Sequence, residues 1–169
     1  MSIASSIYPL RPGIGAAVFS ALCLTISGCC GDHDSAVCGG KVTDAISSFI
    51  VTTQTGSDQS DANIKLCVRT KTAAPERCEP LDTAANNFEE DAVETFDVAI
   101  SVSAGDFDSF TIENSGGAFF GNNEWEVAAL KVSAVLASGG QVTLYDEPDI
   151  GCNNDVESNQ RYYPMECTY

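Results

Sequence analysis

Apolar and polar residues alternate in short runs along most of this chain. Ile64, Leu66 and Val68 fall on one parity and Lys65 and Arg69 on the other, the period-two signature of a half-buried strand over residues 63–71. Phe49, Val51 and Thr53 interleave with Ile50 and Thr52, apolar enough on both parities to predict a strand buried on both faces. Phe96, Val98 and Ile100 predict a further strand, Phe110 and Ile112 another, Val142 and Leu144 a last one, and residues 78–82 a short one. Trp125 and Val127 share a parity that Leu130 and Val132 do not, so the pattern asks for a bulge near Ala128 and Ala129. Turn-forming residues separate these runs: residues 56–63, residues 72–77 around Pro75, an acidic stretch at 83–92 around Phe88, and a Gly-rich stretch at 115–123 read as irregular. No window keeps a helical period, and neither an internal repeat nor a low-complexity segment is present. Short strands with turns between them predict an all-β antiparallel sandwich.

The N-terminus reads as an address rather than as part of this fold. Arg11 is the only charge among the first 28 residues, and an apolar run from Ile14 to Ile26 has the length of a signal-peptide core. It ends in Ile26-Ser27-Gly28-Cys29, which is similar to the bacterial lipobox, where small residues precede a cysteine that is lipidated and becomes the new N-terminus. The alternative is an uncleaved anchor helix over residues 13–30. Cys30, rather than Asp, follows the lipidation residue, which in the bacterial sorting pattern points to the outer membrane. The expected organisation is a lipoprotein signal peptide at 1–28, a tether at 29–44, the sandwich at 45–155 and a C-terminal tail at 156–169 pinned by disulfide. The expected location is the bacterial cell envelope, as an outer-membrane lipoprotein.

Cleavage would remove one of eight basic residues and none of the 24 acidic ones, leaving a formal charge of −17. A surface this acidic argues against nucleic acid and against unaided attachment to anionic lipid, although acidity also simply keeps exported domains soluble. With Cys23 removed and Cys29 lipidated, Cys30, Cys38, Cys67, Cys78, Cys152 and Cys167 remain, an even set for an oxidising compartment. Six cysteines allow 15 pairings. Proximity favours Cys30–Cys38, Cys67–Cys78 and Cys152–Cys167.

The strand residues also carry a family pattern. Phe49-x-Val51-x-Thr53, Asp61-Ala62-Asn63-Ile64-x-Leu66, Leu81-Asp82, Asn87-Phe88-Glu89, Thr95-Phe96-Asp97-Val98, Phe110-x-Ile112-x-Asn114-Ser115-Gly116 and Trp125-x-Val127-x-x-Leu130-x-Val132 occur in that order. Together, over residues 46–155, they resemble the PLAT domain, named for polycystin, lipoxygenase and alpha-toxin. The resemblance implies an eight-stranded antiparallel β-sandwich that binds protein or lipid at a membrane. The chain departs from the family at Gln59-Ser60, where Gly-Thr is usual, at Glu90-Asp91, where Arg-Gly often stands, and in lacking a second Trp.

Candidate chemistry is sparse. His33 is the single histidine and lies four residues beyond Cys29, a poor place for the rigidly held base of a nucleophilic site. No G-x-S-x-G, H-E-x-x-H or Gly-Lys phosphate loop occurs, so no enzyme is expected. Calcium needs six to eight oxygen ligands, and the acidic loops offer them at Asp58, Asp61 and Asn63 and at Asn86, Asn87, Glu89, Glu90 and Asp91. The resemblance carries calcium ligation onto Asp61, Asn87 and Glu89. The plainer reading makes the same residues Asx turns at strand entries. Trp125 reads as core, with an exposed anchor as the alternative, whereas Phe119 and Phe120, between Gly117 and Gly121, are the candidate partner contact or else a plug over the end of the sandwich. A glycan-binding module is the rival function and would need exposed aromatics such as Tyr145, Tyr162 and Tyr163, and an accessory domain positioning a separate enzyme is a third.

Overall fold

The computed structural model describes residues 36–57, 62–72, 75–83, 88–117, 124–150, 156, 160–162, 167 and 169. Cys29, Cys30, Asp58, Asp61, Asn87, Phe119, Phe120, Cys152 and Tyr163 lie outside them, as does the segment 1–28. No helix occurs among the described residues. Nine strands do: β1 (Val37–Cys38), β2 (Ile46–Thr55), β3 (Ala62–Thr70), β4 (Arg77–Pro80), β5 (Val93–Val98), β6 (Phe107–Gly117), β7 (Val127–Leu136), β8 (Gln141–Glu147) and β9 (Arg161–Tyr162). They form a five-stranded sheet in the order β1-β8-β7-β2-β5 and a four-stranded sheet in the order β4-β3-β6-β9, with antiparallel pairing throughout. The all-β sandwich is thus observed, with one strand more than the eight that the family resemblance implies.

Alternation explains which side chains meet between the sheets. Ile64, Leu66 and Val68 of β3 and Phe110 and Ile112 of β6 face Phe49, Val51, Phe96 and Val132 from the other sheet, and all are buried. β2 differs from the expectation of two buried faces. Phe49, Val51, Thr53 and Thr55 are buried, whereas Ile50 and Thr52 are half-buried, because among the described residues nothing covers the outer side of this sheet as completely as the second sheet covers the inner one.

The expected bulge in β7 is present. Gln54 pairs with Ala129 and Thr55 with Val127, so Ala128 is the extra residue, and Val127 and Leu130 both point inward. Its carbonyl accepts a hydrogen bond from the Ile150 amide at 2.9 Å. A second bulge lies in β8, where Val132 pairs with Tyr145 and Ser133 with Thr143, leaving Leu144 extra. Leu144 and Tyr145 are consequently both buried. Pairing also carries β6 through Ser115 to Gly117, so the start of the segment expected to be irregular is strand.

Both ends of the sandwich sequence reach further than expected. The tether expected at 29–44 includes β1, paired to β8, and Val42, which is core. Beyond residue 155, Val156 is buried and β9 pairs with β6. Among the described residues two disulfides are seen, Cys67–Cys78 and Cys38–Cys167. The first joins directly opposed residues of β3 and β4, as proximity in sequence suggests. The second overturns the Cys30–Cys38 and Cys152–Cys167 pairings. Sheet order puts β1 beside β8, where the C-terminus also packs: Tyr169 donates to the Leu144 carbonyl at 3.1 Å, so spatial proximity outweighs sequence proximity.

The two bridges close loops of very different length, with sequence separations of 129 and 11. Chain entropy therefore predicts that Cys38→Ser/Cys167→Ser costs roughly 5 kcal/mol and Cys67→Ser/Cys78→Ser roughly 3 kcal/mol. Denaturant midpoints of the oxidised variants check this, and equal losses would contradict it.

Candidate binding site at the acidic end

Antiparallel order sends four connections, β2–β3, β4–β5, β6–β7 and β8–β9, to the same end of the sandwich. Their sequences, residues 56–61, 81–92, 118–126 and 148–160, contain eleven acidic residues and no basic one. The connections at the opposite end, residues 39–45, 71–76, 99–106 and 137–140, contain three acidic and two basic residues. By chain order, the connections of one end therefore hold most of the acidic residues outside the strands, and seven of them, Asp82, Glu89, Glu90, Asp91, Glu124, Glu126 and Asp149, are among the described residues.

The described flanks of those two loops are clasped together. Beyond β2, the Gly56 amide donates to the Glu126 carbonyl at 2.9 Å, and the Ser57 amide and hydroxyl both donate to Glu126 Oε2 at 2.8 Å. A Cβ at Gly56 would stand 2.4 Å from Glu126 Cδ, so a larger residue there would push the Glu126 side chain from its place beside Ser57. The Asp91 amide donates to the Gly56 carbonyl at 3.1 Å, and the Thr55 amide to the Ala92 carbonyl at 3.0 Å. The β4–β5 connection is thereby laid against the β2–β3 connection.

Phe88 anchors the arrangement. Its ring is buried, 5.4 Å from the Phe96 ring and 5.0 Å from that of Trp125. Trp125 is itself fully buried and donates through Nε1 to Thr55 Oγ1 at 3.2 Å, which is the core reading of that residue. Phe88 and Asp91 both have left-handed backbone, φ 59° and 58°, an uncommon state for a bulky residue. The Phe88 amide donates to Glu94 Oε2 at 2.5 Å, which helps hold the turn. Inward Phe88 leaves Glu89, Glu90 and Asp91 exposed beside Gly56 and Ser57.

Of the sequence-predicted calcium residues, Glu89 is therefore placed at the clasp, while Asp58, Asp61 and Asn87 fall outside the described residues. Asn63 belongs to β3, and its carbonyl accepts from Ser115 Oγ at 2.9 Å.

No protein-family model matches the sequence, and no curated protein does. Solved structures do match. Alpha toxin from Clostridium absonum superposes with a TM-score of 0.59 at 17% identity, over 75% of this chain and 33% of the toxin. Alpha-toxin from an avian strain of Clostridium perfringens gives 0.54 at 16% identity, over 72% and 32%. Coral 8R-lipoxygenase, whose structure is described as showing calcium activation via a C2-like domain, gives 0.50 at 19% identity, over 70% and 17%. The fold is a PLAT-like β-sandwich. The chain spans about a third of the length of the toxins and about a sixth of the lipoxygenase, and at these identities the likeness is one of fold.

This PLAT-like sandwich also holds a buried polar cluster that alternation hides. Glu147 is 1% exposed, accepts from the Tyr145 hydroxyl through Oε2, and accepts from the Tyr162 hydroxyl at 3.0 Å. The cluster ties β8 of one sheet to β9 of the other. It also removes two candidates for a glycan groove, since Tyr145 is 1% exposed and Tyr162 is half-buried with its hydroxyl committed to Glu147. The sequence sign of this cluster was weak: a Tyr and a Glu two apart, brought to one face beyond the Leu144 bulge.

Burial and the bond to Glu147 hold the Tyr145 phenol above its usual range. Burial, with the nearby Glu147 charge, pushes Tyr162 up to about 12, and burial alone pushes Tyr169 up to about 12. Each neutral phenol is favoured by the fold, so its contribution to stability is full below pH 10 and lost as pH rises toward 12. A phenolate absorbance titration should show Tyr145, Tyr162 and Tyr169 un-ionised near pH 10 in the native protein and ionised together on unfolding. Ordinary titration of all tyrosines while the fold persists would contradict the buried cluster.

Proposed function

We propose that this chain is a membrane-tethered, non-catalytic binding domain of the bacterial envelope, whose acidic end engages a protein or lipid partner, with calcium as the bridge to lipid. The observation that carries this reading is the clasp that lays the flanks of the two acidic loops together, through the Asp91 amide to the Gly56 carbonyl, with Ser57 bonding in turn to Glu126 of the β6–β7 connection. Glu89, with Asp58, Asp61 and Asn87, would supply hard oxygen ligands of the kind calcium takes. The ion would offset the charge that otherwise repels anionic headgroups. Without it, so acidic a surface suits a basic protein partner instead. The coral lipoxygenase structure, described as calcium-activated through a C2-like domain, supports the calcium arm by fold alone.

The lipid anchor reading fits the placement of β1. Val37 pairs with Asp146, next to the last residue of β8 at the acidic end. The eight residues from Cys29 to Val37 reach at most about 28 Å, so an anchor at Cys29 keeps the acidic end close to the bilayer. The chemistry-poor sequence, with His33 as its single histidine, supports a non-catalytic role.

A calcium ligand that binds only the native state raises the melting temperature of the soluble segment 31–169, and chelator reverses the rise. The same protein should sediment with anionic vesicles only in calcium. Asp61→Ala/Glu89→Ala should abolish both effects, and binding at unchanged affinity would end the calcium arm. Cys29→Ser should block incorporation of labelled fatty acid, and persistent labelling would refute the anchor.

A further inference from the structure

The outer face of the four-stranded sheet carries a second group of chemistry-bearing side chains, far in character from the acidic end. Cys67 of β3 and Cys78 of β4 stand directly opposite each other and form a disulfide. Glu76 lies two residues before Cys78, and a carboxylate oxygen of Glu76 and both sulfurs lie within 4.8 Å of one another. Among the described residues, this is the place where three metal-ligating side chains converge. Glu113 adds a carboxylate 3.9 Å from Cys67 Sγ. Arg161 joins the two acids, at 2.7 Å from Glu76 and 2.6 Å from Glu113. Thr111, paired with Cys67 across β3 and β6, is 6% exposed and its hydroxyl has no partner.

We propose that the Cys67–Cys78 pair is a redox-gated metal site: once reduced, Cys67, Cys78 and Glu76 bind a borderline-soft dication of the zinc class, with water in the fourth position. As a disulfide the two sulfurs are neutral and poor ligands, so the site is closed in an oxidising compartment. An external dithiol opens it by passing two electrons and two protons to the sulfur–sulfur bond, leaving two thiols and itself becoming a cyclic disulfide. Metal binding then displaces both thiol protons to solvent, since the thiolate is the ligand. Two sulfurs and one carboxylate suit tetrahedral zinc better than calcium or magnesium, which take oxygen alone.

The surroundings favour this chemistry. β4 is an edge strand exposed along its length, and Cys78 keeps part of its surface open, so a reductant and a metal ion can both approach it. Cys67 is fully buried, which fixes its sulfur. Arg161 holds Glu76 in place before a metal arrives, and its second bond to Glu113 lets it remain paired when Glu76 turns one oxygen to the metal.

Cobalt(II) is the probe, because thiolate coordination gives a charge-transfer band and tetrahedral geometry gives intense ligand-field bands. The full exported protein is titrated with cobalt before and after reduction by a phosphine that is then removed under anaerobic conditions. The reduced protein should develop both bands and the oxidised protein neither. The bands should vanish in Cys67→Ser/Cys78→Ser and persist in Cys38→Ser/Cys167→Ser. Glu76→Gln, which leaves every cysteine in place, should weaken cobalt binding at least tenfold. Bands that ignore Glu76→Gln, as in unspecific binding to a loosened chain, would overturn the proposal. So would their absence in the reduced protein, or their dependence on Cys38 and Cys167.

Discussion

The burial of Phe88 is the constraint on which the acidic end depends. A loop of charged residues has little reason to pack against its own sandwich, yet one ring stacks among Phe96 and Trp125 and draws the backbone down. A left-handed turn at a bulky residue costs on the order of 1–3 kcal/mol. Full burial of a phenylalanine side chain is worth about 1.5–3 kcal/mol, and the hydrogen bond that the Phe88 amide donates to Glu94 adds to it, so the strained turn can persist. With Phe88 inward, Glu89, Glu90 and Asp91 can only point outward, and the Asp91 amide reaches Gly56. Side-chain packing in the core thus sets the geometry of carboxylates at the surface.

The charge asymmetry of the molecule follows from topology. In an antiparallel sandwich every second connection returns to the same end, so a sequence needs only to alternate acidic and near-neutral turns to become electrically one-ended. This chain does so, with eleven acidic residues and no basic one in the four connections of one end. Because β1 enters beside the last residues of β8, that end and the start of the sandwich are neighbours. Strand order alone therefore places β1, the first described strand of the sandwich, at the acidic end.

Periodicity made the long strands legible. Ile64, Leu66 and Val68 face inward as alternation demands, and the parity break between Val127 and Leu130 located the bulge at Ala128. Two-residue strands carry no period, so β1 and β9 left no trace in the hydrophobic pattern. The bulge at Leu144 has no parity mismatch to announce it, so the alternation left Tyr145 open to the exposed position that a glycan groove would need, whereas it is core. The Cys38–Cys167 bridge depends on sheet order, which local spacing does not encode. Of the acidic loops, the sequence showed which residues could serve. The clasp through Glu126 was hidden, because it joins residues 69 positions apart.

The most direct test of the account is a calcium titration of the isotopically labelled protein, followed residue by residue through its backbone amide resonances. Calcium held at the acidic end should shift Gly56, Ser57, Glu89, Glu90 and Asp91, with Glu126 responding through its bonds to Ser57, and leave the opposite end around Lys71 and Asp106 unmoved. Amides that do not move, or that move equally at both ends of the sandwich, would contradict it.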